Sequence, residues 1–159
     1  MSSVFDVAAY ILQKMAPQEP DGITTWKLQK LVYYSQAWSS VWDDEPLFSE
    51  TIEAWANGPV CSALYDKHRG HFKITSLPAG NPDALTASQK DTIDHVVGHY
   101  GQRSSQYLSE LTHQECPWIE ARSDLAPGER GNNEITVDSM ALYYGGLYSE
   151  ERTDETNAS

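Results

Sequence analysis

Residues 25–42 read as a helix with almost no side left for water, and this constrains the chain more than any other stretch. At about 100° per residue, Leu28, Leu31, Val32, Tyr34, Ala37, Trp38, Val41 and Trp42 cover well over half of its circumference. A helix apolar over so much of its surface is packed on several sides. It belongs at the centre of a bundle. Thr24 or Thr25 caps it, and Gln29, Gln36 and Ser40 mark the narrow stripe left for water. Lys30 falls inside the apolar arc. Its stem either runs out to water, or it presents a buried or partner-facing ammonium.

The flanking sequence supplies the partners of that helix. Residues 3–16 form a first helix, with Ser3 as cap and Asp6 near its positive end. Thr86 and Gln89 form a capping box ahead of Ile93, Val96, Val97 and Tyr100, and Gly101 ends that helix. Gly58-Pro59 is read as a helix start, because proline is preset for the first helical position. Further helices open at Ser104 or Ser105, at Pro117 and at Thr136. Weak alternation over 48–55 and 72–77 suggests short strands, and 78–85 and 123–134 are loops. The fold class expected is mainly α: a compact helical bundle around the central helix at about 25–42, with one or two short strands. From Ser149 the chain turns polar and acidic, and a disordered tail over 149–159 is expected.

Charge narrows the function classes. The chain carries 11 basic and 23 acidic residues, a net charge of -12. An acidic body repels phosphate backbones, so no direct nucleic-acid partner is expected. It attracts a basic protein surface instead. No run reaches membrane-spanning length. The first apolar stretch, Val4 to Met15, is interrupted by Asp6, Gln13 and Lys14 and lacks a basic leader. A cytoplasmic protein with no membrane partner is the expectation.

Residue-level support for catalysis is thin. His95 and His99 have the four-residue spacing of zinc ligands, but Val96 stands where the general-base glutamate would be, and no third ligand is evident. Cys61 and Cys116 form no CxxC pair and read as reduced, buried thiols. A Cys–His nucleophile built on Cys61, or on Cys116 with His113, has only weak support. There is no glycine-rich phosphate loop. No cofactor and no catalytic residue is expected.

Three blocks carry a more specific signal. The first runs from Thr25-Trp26-Lys27-Leu28-Gln29-Lys30 through Tyr34 to Trp38, followed by Pro46-Leu47-Phe48. The second is Glu53-Ala54-Trp55-Ala56-Asn57-Gly58-Pro59-Val60, ending in Leu64-Tyr65. The third is Thr112-His113-Gln114-Glu115-Cys116-Pro117-Trp118, with Ala121-Arg122. Together they resemble the SocA-like Panacea domain, also seen in phage-associated proteins of the GepA type. The likeness spans residues 4–148, setting an antitoxin-type domain at 1–148 ahead of the acidic tail.

The resemblance implies an antitoxin that neutralises a cognate protein toxin by direct binding. Toxins paired with such domains are diverse and include alarmone-synthetase-like inhibitors of translation. Some members act instead as adaptors that deliver the toxin to a AAA+ protease. The motif residues Trp26, Lys30, Tyr34, Glu53, Trp55, Gly58, Pro59, Tyr65, His113, Glu115, Pro117, Trp118 and Arg122 are the candidates for partner contact. Of Trp26, Trp55 and Trp118, at least two read as core pillars, and one as lining a partner groove. Arg122 either stacks on Trp118 or pairs with Glu115 or Glu53. Lys30, Glu53 and Arg122 read as structural ion partners, and the loops 78–85 and 123–134 as the surfaces that select a toxin.

Overall fold

The computed structural model describes residues 2–157. Helix α1 (Val4–Met15) opens with a capping box: the Ser3 hydroxyl accepts from the Asp6 N–H, and the Asp6 carboxylate returns to the Ser3 N–H. Helix α2 (Thr25–Trp42) starts where the Thr24 hydroxyl accepts from the Lys27 N–H. Helices α3 (Ser62–His68), α4 (Ala87–Tyr100), α5 (Ser105–Thr112), α6 (Cys116–Ala121) and α7 (Val137–Asn157) follow. The Thr86–Gln89 box before α4 makes both of its expected hydrogen bonds.

Helix α2 is the axis, touched by α1, α4, α5 and α7. Its buried residues run without a break from Lys27 to Ser40. The protein is mainly helical, as the periodicity predicts, but it holds more strand than one or two short pieces. Two small antiparallel sheets are present among the described residues. One pairs β1 (Ile23–Thr24) with β4 (Lys73–Ile74). The other has β2 (Ile52–Trp55) at its centre, flanked by β3 (Gly58–Cys61) and β5 (Glu134–Ile135).

Strand β3 corrects the expectation that Gly58-Pro59 starts a helix. Trp55 pairs with Gly58 across a tight hairpin turn, and Pro59 lies opposite Ala54. Gly58 has a φ of 124°, open to glycine and not to a helix. Pro59 donates nothing to the ladder, while the Ala54 N–H turns the other way and donates to the Asn133 carbonyl at 2.8 Å. The helix therefore begins later, at Ser62. At the other end α7 passes Ser149 and runs to Asn157; residues 158–159 lie outside the described ones. No glycine or proline follows Gly146, and Leu, Glu and Arg in that stretch favour helix.

The polar stripe of α2 is dry. Gln29 and Gln36 are buried, 1% and 2% exposed, and each amide clamps an extended segment of backbone. The Gln36 carbonyl oxygen accepts from the Leu47 and Phe48 N–H groups at 2.7 and 3.3 Å, and its amide donates to the Phe48 carbonyl at 2.8 Å. One stripe further along, Gln29 accepts from the Cys61 N–H at 2.9 Å and donates to the Cys61 carbonyl at 3.2 Å. These side chains do for the strands what a neighbouring strand would do. Replacing Gln36 with leucine keeps the volume but strips the Leu47 and Phe48 backbone of its partner. Gln36→Leu should lower unfolding free energy by about 3 kcal/mol, measured by urea denaturation. The Leu47 amide should lose its hydrogen-exchange protection in the same variant.

Candidate partner-binding site

The β2–β3 hairpin and the first turns of α2 stand side by side and present two indoles. Trp26 and Trp55 are both half-buried. Tyr65 of α3 wedges against each, its ring centroid 6.3 Å from Trp26 and 5.0 Å from Trp55. The Trp55 indole N–H donates to the Glu53 carboxylate at 2.8 Å, and the Ser62 hydroxyl donates to the other Glu53 oxygen at 3.3 Å. A groove of about 600 Å³ opens beside this pair, walled by Trp26, Glu53, Trp55, Asn57, Arg130 and Asn132.

The far wall comes from the 123–134 loop, which is tied down at both ends. The Arg122 guanidinium, 6% exposed, donates to the Ala54 carbonyl at 2.8 Å and to the Glu129 carbonyl. The Asn133 amide donates to the Ala121 carbonyl and to Asp124, both at 2.9 Å. Arg122 also lies over the Trp118 ring, 5.3 Å from its centroid. The stacking expectation therefore holds. Its hydrogen bonds go to backbone carbonyls, where a pairing with Glu53 or Glu115 had been the alternative. The loop 78–85, by contrast, packs against α1 and takes no part in the groove.

Trp118 closes the rear. Its indole N–H donates to the Trp55 carbonyl at 2.8 Å, and His113 stacks on its ring at 4.0 Å. All three motif tryptophans are half-buried; Trp118 packs against the core, whereas Trp26 and Trp55 do not, so two core pillars are not found. The hairpin and α3 hold them at the edge of the bundle. The core aromatics are others: Tyr33, Tyr34 and Tyr144.

Lys30 stands one turn beyond Trp26 and does not snorkel. It is fully buried, and its ammonium has no hydrogen-bond partner among the described residues. The Trp26 ring lies 5.4 Å from Nζ. A Cβ on Gly58 would sit 2.6 Å from the Lys30 Cε, so any other residue there would have to push the end of the lysine side chain aside. Burial drags the Lys30 amine down from 10.5 to about 7. Burial also lowers the His113 imidazole, with the Lys30 and Arg122 charges adding to the effect and a hydrogen bond to the Asn57 backbone opposing it. The expectation of a structural ion pair at Lys30 is thus overturned.

The remaining motif residues form scaffold behind this edge. The Tyr34 and Tyr144 hydroxyls both donate to one Glu115 oxygen, at 2.7 and 2.8 Å. Burial holds the Glu115 carboxyl above its usual range, against the pull of those two bonds. Pro117 is buried in the first turn of α6, and Pro59 in β3. The sequence blocks thus divide into a half-exposed rim and a buried node.

A protein-family model described as Antitoxin SocA-like, Panacea domain matches residues 28–119, more than half of the chain. The chain belongs to this SocA-like antitoxin family. Comparisons with curated proteins and with solved structures found no match. The matched Panacea segment carries Lys30, the hairpin and His113–Trp118, while Trp26, Arg122 and the groove wall at 130–132 lie outside it.

Groups that suggested other chemistry are scattered. Cys61 is buried, and burial pushes its thiol up, away from the reactive thiolate. Cys116 is exposed, contrary to the expectation of two buried thiols, because α6 turns that side outward at its first residue. His95 and His99 are exposed on α4, and among the described residues no three His, Cys, Asp or Glu side chains cluster as metal ligands. No helix among the described residues is long and apolar enough to cross a membrane. Asn57 stood in the second motif block and Arg130 and Asn132 in the 123–134 loop, but none was singled out as a contact residue; the hairpin turn and the loop tie bring them to the groove.

The buried amine makes stability depend on pH in a defined sense. Between about 7 and 10.5 the unfolded chain holds a proton that folded Lys30 has released, so stability rises with pH there. Below that window both states are protonated and the folded one bears a buried charge near His113 and Arg122. Lys30→Met should therefore be more stable than the parent at neutral pH, and its advantage should shrink by up to about 1.4 kcal/mol per pH unit on moving toward pH 10. Urea unfolding across that range measures it; a pH-independent difference would contradict a buried charge.

Proposed function

We propose that this chain neutralises a cognate protein toxin by binding it directly, with the Trp26–Trp55 groove at the centre of the contact and no reaction performed. The observation that carries the reading is the pair of half-exposed indoles braced by Tyr65 beside an open groove, in a chain of the SocA-like antitoxin family. Tryptophan, tyrosine and arginine dominate binding energy at protein interfaces, and they do so from positions held rigid before contact. The net charge of -12 favours a basic partner surface and speeds its approach. The toxin class suggested by the resemblance, an alarmone-synthetase-like inhibitor of translation, is one candidate partner.

Co-expression with the product of the neighbouring gene tests the reading. Growth should be rescued and a stoichiometric complex recovered. Trp26→Ala, which removes a side chain outside the main hydrophobic cluster, should leave the far-ultraviolet spectrum unchanged and weaken the complex by about 30-fold. Wild-type affinity in Trp26→Ala would move the interface elsewhere, and absence of rescue would remove the toxin partner. A toxin level that falls only when a AAA+ protease is present would make the chain an adaptor instead of a blocker.

A further inference from the structure

Beside the main groove lies a smaller recess of about 190 Å³, walled by Trp26, Lys30, Asn57, Ser105 and Ser109. Its chemistry differs from the rest of the surface. The chain carries more than twice as many acids as bases, yet no carboxylate among the described residues lines this recess. Lys30 is entirely buried in its wall, with the ammonium unpartnered among the described residues. Thr112, the nearest hydroxyl across Gly58, donates to the Ser109 carbonyl at 2.7 Å. The Asn57 carbonyl is likewise taken, accepting from the Ser109 hydroxyl at 2.5 Å. Ser105 is the first residue of α5, so the positive end of that helix faces the same space. The Lys30 and Arg122 charges are both felt at His113, with the Glu110 carboxylate opposing them.

A buried cation without a counter-charge is destabilising, and proteins normally supply one from their own acids. Here no counter-charge is present among the described residues, and the room for one is. We propose that the Lys30 recess is a carboxylate-binding site that receives an aspartate or glutamate side chain of the partner polypeptide. The partner's carboxylate accepts a charge-assisted hydrogen bond from Nζ, with Trp26 packing over its methylene stem. The neutral polar groups of Asn57 and Ser105 flank it. The source of the carboxylate rests on the toxin-binding reading; the anion site itself does not.

The site is tested first on the full chain alone. Sodium acetate is titrated against sodium chloride at constant ionic strength, and the Lys30 side-chain resonance is followed by lysine-selective NMR, assigned with Lys30→Met. Acetate should shift that resonance saturably and raise its titration midpoint by at least about one unit, a tenfold preference for the protonated form. A Lys30 signal indifferent to acetate overturns the proposal, and so does inorganic phosphate binding more tightly than acetate. The second arm uses the complex with the neighbouring gene product. One Asp→Asn or Glu→Gln change in that partner should weaken binding to the parent chain at least about tenfold and have no further effect on Lys30→Met. No coupling at any partner acid overturns the assigned source, whereas failure to form any complex removes the toxin-binding reading and leaves the acetate result standing.

Discussion

A helix buried on every side leaves each of its polar side chains to find a partner inside the protein. On α2 the two glutamines solve this by acting as surrogate strands. Gln36 holds the chain at Leu47 and Phe48 as it leaves the helix, and Gln29 holds it again at Cys61 as the hairpin returns. Those two grips fix where the hairpin runs along the helix, and the hairpin carries Glu53, Trp55 and Asn57 to the groove. The rim depends on amides that never touch it.

A second buried node acts at the opposite side of the motif. Glu115 gathers Tyr34 from α2 and Tyr144 from α7, and Tyr34 stacks on Tyr100 of α4 at 4.0 Å. Trp38 extends the same cluster by donating its indole N–H to the Tyr100 hydroxyl at 3.0 Å. Two tyrosine hydroxyls on one Glu115 oxygen hold the buried carboxyl without a second full charge, so the junction of α5 and α6 is tied to α2 and α7 and, through the Tyr34–Tyr100 stack, to α4. Because the His113–Trp118 stack grows from that junction, the scaffold and the rim share one foundation.

The helices were legible because their caps and their periodicity are local. Ser3 with Asp6, Thr24, Thr86 with Gln89 and Thr136 each mark a start that the chain observes. Gly58-Pro59 was misread because proline suits a helix start and an extended edge equally well, and only the pairing of Trp55 with Gly58 decides between them. The glutamines were assigned to water because polarity alone does not reveal a backbone segment waiting to be bound. The motif tryptophans were placed inward by size, whereas their braces, Tyr65, Glu53 and His113, come from distant parts of the chain. Lys30 was visible as an anomaly in an apolar arc, but its lack of a partner among the described residues is a property of three-dimensional neighbourhood.

The tie of the 123–134 loop separates holding from reading. Its anchors are the Arg122 side chain, the carbonyl of Glu129 and the Asn133 amide and carbonyl. Arg130 and Asn132 line the groove without serving as anchors. Substitution at those two positions can therefore redraw the contour of the groove while the frame that holds it stays put.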